Sequence, residues 1–158
     1  MARRGAEFLQ FLIVLVAVAT LALLLWEPHL EGRNANATLF EIYFHDPFLA
    51  YAYAAAIPVF MGYYQAFVAL EHVRQDRTFS PATAKAVRTV KYCALAVIGF
   101  LLGGEAWLFL YQSGKDDIAG GVAVGLFFLV CSLVIAGVAG LFERMVQKGM
   151  TPGHAIHP

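Results

Sequence analysis

Charge is scarce in this chain: 14% of its 158 residues are Asp, Glu, Lys or Arg, against about 25% in a soluble domain. With 60% apolar residues to cover, so few charges cannot coat a water-soluble particle of this size, and a lipid-facing protein is the class that remains. Cysteine is nearly absent as well. Cys93 and Cys131 both fall inside apolar runs and share no metal or redox spacing, so they read as small apolar residues. The acidic and basic residues balance, eleven against eleven, which gives no bulk attraction to nucleic acid. No histidine falls within an apolar run, which excludes a membrane haem held by paired axial histidines. There is no phosphate loop, no nucleophile–base pair and no internal repeat. No cofactor and no enzymatic activity are therefore expected.

What the chain does contain is four apolar runs, at about 8–26, 48–70, 90–111 and 118–142. Each is near the roughly 20 residues that about 30 Å of hydrocarbon requires, and backbone groups in lipid must bond within their own segment, so each is expected to be a helix. The fold class is all-α: a polytopic membrane protein, one four-transmembrane-helix up-down bundle over 1–146. The stretch 147–158 is expected to be a disordered cytoplasmic tail. The first run has a rival reading as a signal peptide, with Ala35-Asn36-Ala37 as a small-x-small cleavage site. The run is longer than the 7–15 residues typical of such peptides and ends well before that site, so a retained span is expected.

Orientation follows from the short loops. An even number of spans places both termini and the loop after the second span on one side, with Arg3, Arg4, Arg74, Arg77, Lys85, Arg88, Lys91, Arg144 and Lys148. The other side holds only Arg33 and Lys115, among several acids. The expectation is N-in/C-in, with both termini cytoplasmic. The outer loop carries His29, Glu31, His45 and Asp46, but no two have the spacing of a zinc site, and no metal is expected.

The loop between spans two and three continues as RTFSPATAKAVRTVK. Ser80-Pro81 reads as a helix start: the hydroxyl accepts from a free amide of the first turn, and proline loses no bond there. Phe79, just before the cap, is placed to pack back onto Thr83 or Ala84 or to dip into the interface. The basic residues Arg74, Arg77, Lys85, Arg88 and Lys91 admit three readings. They hold the loop inside by snorkelling to phosphates, they recognise anionic lipid, or they dock a cytoplasmic protein. Direct nucleic-acid binding is not expected, because no aromatic platform interleaves with the charges.

Ile57-Pro58 in the second run, then Phe79-Ser80, Val87-Arg88 and Lys91, resemble the DUF2975 family of small bacterial four-span membrane proteins. The resemblance covers roughly residues 48–110 and the four-span layout. It implies no catalytic residue. It does imply a partner, since members often accompany a small helix-turn-helix regulator.

Glu105, in LLGGEAWLF, is the one ionisable residue well inside a span, which makes it a candidate site on the cost of burying an acid in lipid. Counting depth places Tyr53 and Tyr51 of the second span, Thr20 of the first, and Val124 and Gly125 of the fourth near its level. Thr20, Tyr51 and Tyr53 are thus candidate hydrogen-bond partners. Gly99 and Gly103, and Gly121 and Gly125, allow close helix approach within the chain or between copies in a homo-oligomer. Gln10, Gln65 and Tyr92 form a second polar level nearer the basic side, and Glu71 and His72 fall at its boundary. Two functions survive. One is a non-enzymatic accessory or regulatory protein whose basic cytoplasmic loop binds a protein or anionic lipid. The other is a small oligomeric transporter or channel with Glu105 as its proton or cation site.

Overall fold

The computed structural model describes residues 2–26, 47–112 and 118–151. Four helices account for nearly all of them: α1 (Ala2–Trp26), α2 (Pro47–Arg74), α3 (Pro81–Trp107) and α4 (Ala119–Met150). A π-helical turn, Leu108–Gln112, continues α3. No strand occurs among the described residues, and each of the four helices is long and apolar enough to cross a membrane. The protein is therefore an all-α, four-span membrane protein, as its apolar runs predict. The outer loop with His29, Glu31, His45 and Asp46, residues 113–117 and the tail 152–158 lie outside the described residues.

The helices overrun the apolar runs at the basic end. α3 starts at Pro81, well ahead of Val90, and α4 has 32 residues where about 20 suffice to cross. Its last turns, Gln147 to Met150, belong to the stretch expected as tail, and Val146 just before them is fully buried. Burial of that side chain extends the helix past the point where hydropathy falls.

Local chemistry explains the turn between α2 and α3. The amide of Arg77 donates to His72 O at 2.8 Å and that of Asp76 to Val73 O at 3.2 Å. These are the paired bonds of a Schellman end, with Asp76 left-handed at φ 57°. Ser80 then caps α3, its Oγ accepting from the Thr83 amide at 3.2 Å, with Pro81 in the first turn. The Thr83 hydroxyl donates back to Arg77 O at 2.9 Å and is buried, so the two devices lock together.

Helices pack in chain order: α1 on α2, α2 on α3, α3 on α4, with other pairings slight. The bundle is thus an open row, with α1 and α4 at its edges. From the basic end outward, Phe79 meets Gly149, Arg88 meets Glu143, Lys91 lies against Gly140 and Glu105 against Gly125, so α3 and α4 run antiparallel in one continuous register. A small-residue core, Ala69, Ala86, Val87 and Ala139, joins α2, α3 and α4 near the basic end, with Val68, Val90 and Phe142 packed on it. Free Cys93 is buried where α3 crosses Gly62 of α2. Large apolar side chains on all four helices face outward, as lipid contact demands.

Candidate functional site

Charge concentrates where the helices leave the apolar runs, and two acids organise it. On α4, Glu143 is only 6% exposed. Its Oε1 accepts from Arg88 Nε and its Oε2 from Lys91 Nζ, both at 2.6 Å, while Gln147 Nε2 donates to Oε1 at 3.3 Å. Arg88 and Lys91 are three residues apart on α3, so both reach one carboxylate on the facing helix. Lys91 and Arg88 together hold Glu143 below the ordinary carboxylate range.

On α2, Glu71 is the second hub. Its Oε1 accepts from Arg74 Nη2 and from Gln75 Nε2, both at 2.7 Å, and its Oε2 from Gln10 Nε2 of α1 at 3.1 Å. Gln10 is buried and also donates to Phe67 O at 3.3 Å. Arg74, then Gln10 and Gln75, pull the Glu71 carboxyl down to about 2. Gln10 therefore bridges α1 to Glu71 and Phe67. Both acids lie just past apolar runs that end at Leu70 and Phe142.

The basic loop residues divide in consequence. Arg74, Arg88 and Lys91 are tied to Glu71 or Glu143, and these three salt bridges are the ion pairs among the described residues. Arg77 reaches Gln75 Oε1 at 2.6 Å and stays exposed, as do Lys85, Arg144 and Lys148. Glu143 escapes a reading of sequence alone because its neighbours in LFERMVQK are those of a solvated helix end. Its role appears only with the α3–α4 register. Phe79 is exposed, and its ring lies on Gly149, where a Cβ would overlap it.

Deeper in the membrane, Glu105 lies against Gly125, the residue that depth counting puts opposite it. A Cβ at 125 would overlap the carboxylate. Its Oε2 is buried without a hydrogen-bond partner. The candidate partners bond elsewhere. The Thr20 hydroxyl pairs with the Tyr63 hydroxyl at 3.2 Å and with Val16 O at 2.8 Å. Tyr51 donates to Phe100 O at 2.5 Å with its hydroxyl against Gly103, and Tyr53 donates to Leu24 O at 3.0 Å. The structure thus places Thr20 and Tyr53 at the α1–α2 contact and Tyr51 at the α2–α3 contact, and joins none of the three to Glu105 by a hydrogen bond. Among the described residues no group of three or more metal-ligating side chains converges.

Comparison with known proteins agrees with this picture of a membrane protein. The uncharacterized membrane protein YoaS of Bacillus subtilis (strain 168) is 29% identical over 152 residues, covering 95% of this chain and 94% of that protein. No solved structure matches the chain at a significant level. The family model described as "Protein of unknown function (DUF2975)" matches residues 10–151. Spanning all four helices and both charged hubs, that match shows that the chain belongs to the DUF2975 family.

Proposed function

We propose that this protein is a non-enzymatic accessory or regulatory component of the bacterial inner membrane, whose basic end faces the cytoplasm and engages an anionic surface, of a protein partner or of lipid. The observation that carries this reading is what remains after ion pairing. Arg77, Lys85, Arg144 and Lys148 stay exposed at one end, alongside Arg3 and Arg4. Lys85 rides on the helix start capped by Ser80, Arg144 and Lys148 on the helix end held by Glu143, and Arg77 in the turn that the Thr83 hydroxyl locks, so these charges are presented on a rigid frame. The positive-inside rule accounts for a cytoplasmic position of such charges, but not for their being held on ordered backbone.

The test neutralises exposed charges while sparing the ion pairs. The variant Arg77→Gln/Lys85→Gln/Arg144→Gln/Lys148→Gln is expected to lose capture of a small soluble helix-turn-helix regulator, or to lose enrichment of anionic lipid around the protein in nanodiscs. If the wild type captures no regulator and its lipid shell ignores lipid charge, the reading fails.

A second reading rests on Glu105. A buried, unpartnered carboxyl oxygen held against a glycine is the arrangement expected of a proton or cation site in a small transporter. Its test is flux in proteoliposomes, which Glu105→Gln must abolish.

A further inference from the structure

We propose that the open face of α3 holds one anionic phospholipid, its phosphate taken by the outer edge of the Arg88 guanidinium, with Glu143 as the positioning residue. This rests on the reading that the basic end meets anionic groups, and names the ligand for one part of it.

Arg88 commits Nε to Glu143 and is otherwise unbonded among the described residues, with its side chain half exposed at 50%. A guanidinium pinned through Nε keeps both Nη groups as a planar, two-pronged donor, the geometry that matches a phosphate. Glu143 therefore removes the torsional freedom that would otherwise be lost on binding. Lys85 adds a second exposed cation three residues nearer the loop.

Below Arg88 the same side of α3 continues as Tyr92, Leu95, Gly99 and Leu102, spaced four, seven, eleven and fourteen residues on, and all exposed. Nothing lies within 4 Å of where a Cβ would stand at Gly99, so the stripe has a shallow notch at its middle. From Tyr92 to Leu102 the helix rises about 15 Å, half of a hydrocarbon slab of about 30 Å. A fork at headgroup depth above an apolar stripe one leaflet deep fits a phosphate with an acyl chain beneath it. A soluble acidic segment would reach the fork but not the stripe. The local charge favours an anionic lipid, because Lys85, Arg88 and Lys91 outnumber Glu143 and would repel the cation of a zwitterionic headgroup.

The experiment is native mass spectrometry of the full-length protein in detergent, titrated with phosphatidylglycerol or phosphatidylcholine. The wild type is expected to retain one phosphatidylglycerol, about tenfold more tightly than phosphatidylcholine. Arg88→Lys keeps a positive charge but loses the fork, and is expected to erase that preference by about tenfold. Glu143→Gln is expected to weaken it as well. Arg77→Gln/Arg144→Gln/Lys148→Gln is expected to leave the single lipid in place. Equal retention by Arg88→Lys and wild type overturns the inference, as does equal binding of phosphatidylcholine. So does displacement by millimolar inorganic phosphate, which marks a free-phosphate site, or by poly-glutamate, which marks a protein site. Loss of anionic preference with the triple variant but not with Arg88→Lys would sink this inference and leave the basic-end reading standing. No preference in the wild type overturns this inference, and the basic-end reading then stands or falls on capture of the regulator.

Discussion

The ring of Phe79, in the turn between α2 and α3, rests on Gly149 in the last turn of α4, and a side chain at 149 would have to displace it. This contact ties the turn to the far end of the chain and gives Gly149 two opposed energetic roles. In a helix, glycine costs about 0.8–1 kcal/mol relative to alanine, yet here it makes room for a ring. Gly149→Ala is expected to be neutral or destabilising in the wild type and stabilising by about 0.5–1 kcal/mol in a Phe79→Ala background. Thermal melts of the four proteins in detergent check this. The same sign in both backgrounds would disprove the coupling.

Asp76 stands where glycine or asparagine would serve better. Its left-handed backbone completes the α2 end, a conformation costing roughly 1–2 kcal/mol for an ordinary residue and less for aspartate. Asp76→Gly is expected to raise stability by about 0.5–1 kcal/mol and Asp76→Val to lower it by about 1 kcal/mol. Chemical denaturation in mixed micelles measures both. A stabilising valine would contradict the assigned geometry.

Glu143 neutralises two cations at once, so its loss is expected to matter more than the loss of either. Glu143→Ala should lower the melting temperature more than Arg88→Gln or Lys91→Gln, because each of those leaves the carboxylate one partner. If Glu143→Ala melts with the wild type, the triad is a surface ornament of no structural weight.

Glu105 presents the reverse case. Its Oε2 is buried with no partner, and removing an unsatisfied buried polar group relieves a penalty of about 1–3 kcal/mol. Glu105→Met is expected to stabilise the protein in detergent by an amount in that range. A clear destabilisation would mean that the carboxyl binds the helices together.

The acid limb of stability carries a sign as well. Glu71 and Glu143 both ionise more readily in the folded protein than their ordinary value of 4.5, Glu71 at about 2. Their stabilisation is complete above 4.5 and lost as pH falls towards those folded values. Melting temperature is expected to be flat from pH 8 to 5 and to drop only below about 4.5. Arg74→Gln removes the main cause of the Glu71 shift and should make that drop smaller, with its onset unchanged. A drop beginning near pH 6 would point to other groups.

The spans were legible in the sequence because lipid imposes a length and a composition that few other environments share. The α3 start was legible because Ser80-Pro81 is a local device that needs no tertiary partner. Gly125 is legible opposite Glu105 by counting depth, which works where neighbouring helices run antiparallel and few residues separate them in the chain. What the sequence concealed is lateral. Apolar faces are much alike, so nothing in them states that α1 packs on α2 rather than closing the bundle against α4. Thr20 consequently faces Tyr63, and Glu143 gains its meaning only once Arg88 and Lys91 lie across from it.

The open row has a consequence for how the molecule is made. Since each helix packs mainly on its neighbours in chain order, contacts close short stretches of chain, and the loop entropy lost at each step is small. Each span after α1 leaves the translocation machinery with a docking partner already in the bilayer. Assembly then proceeds like a zipper from α1 to α4, and Phe79 settles on Gly149 as its last tooth.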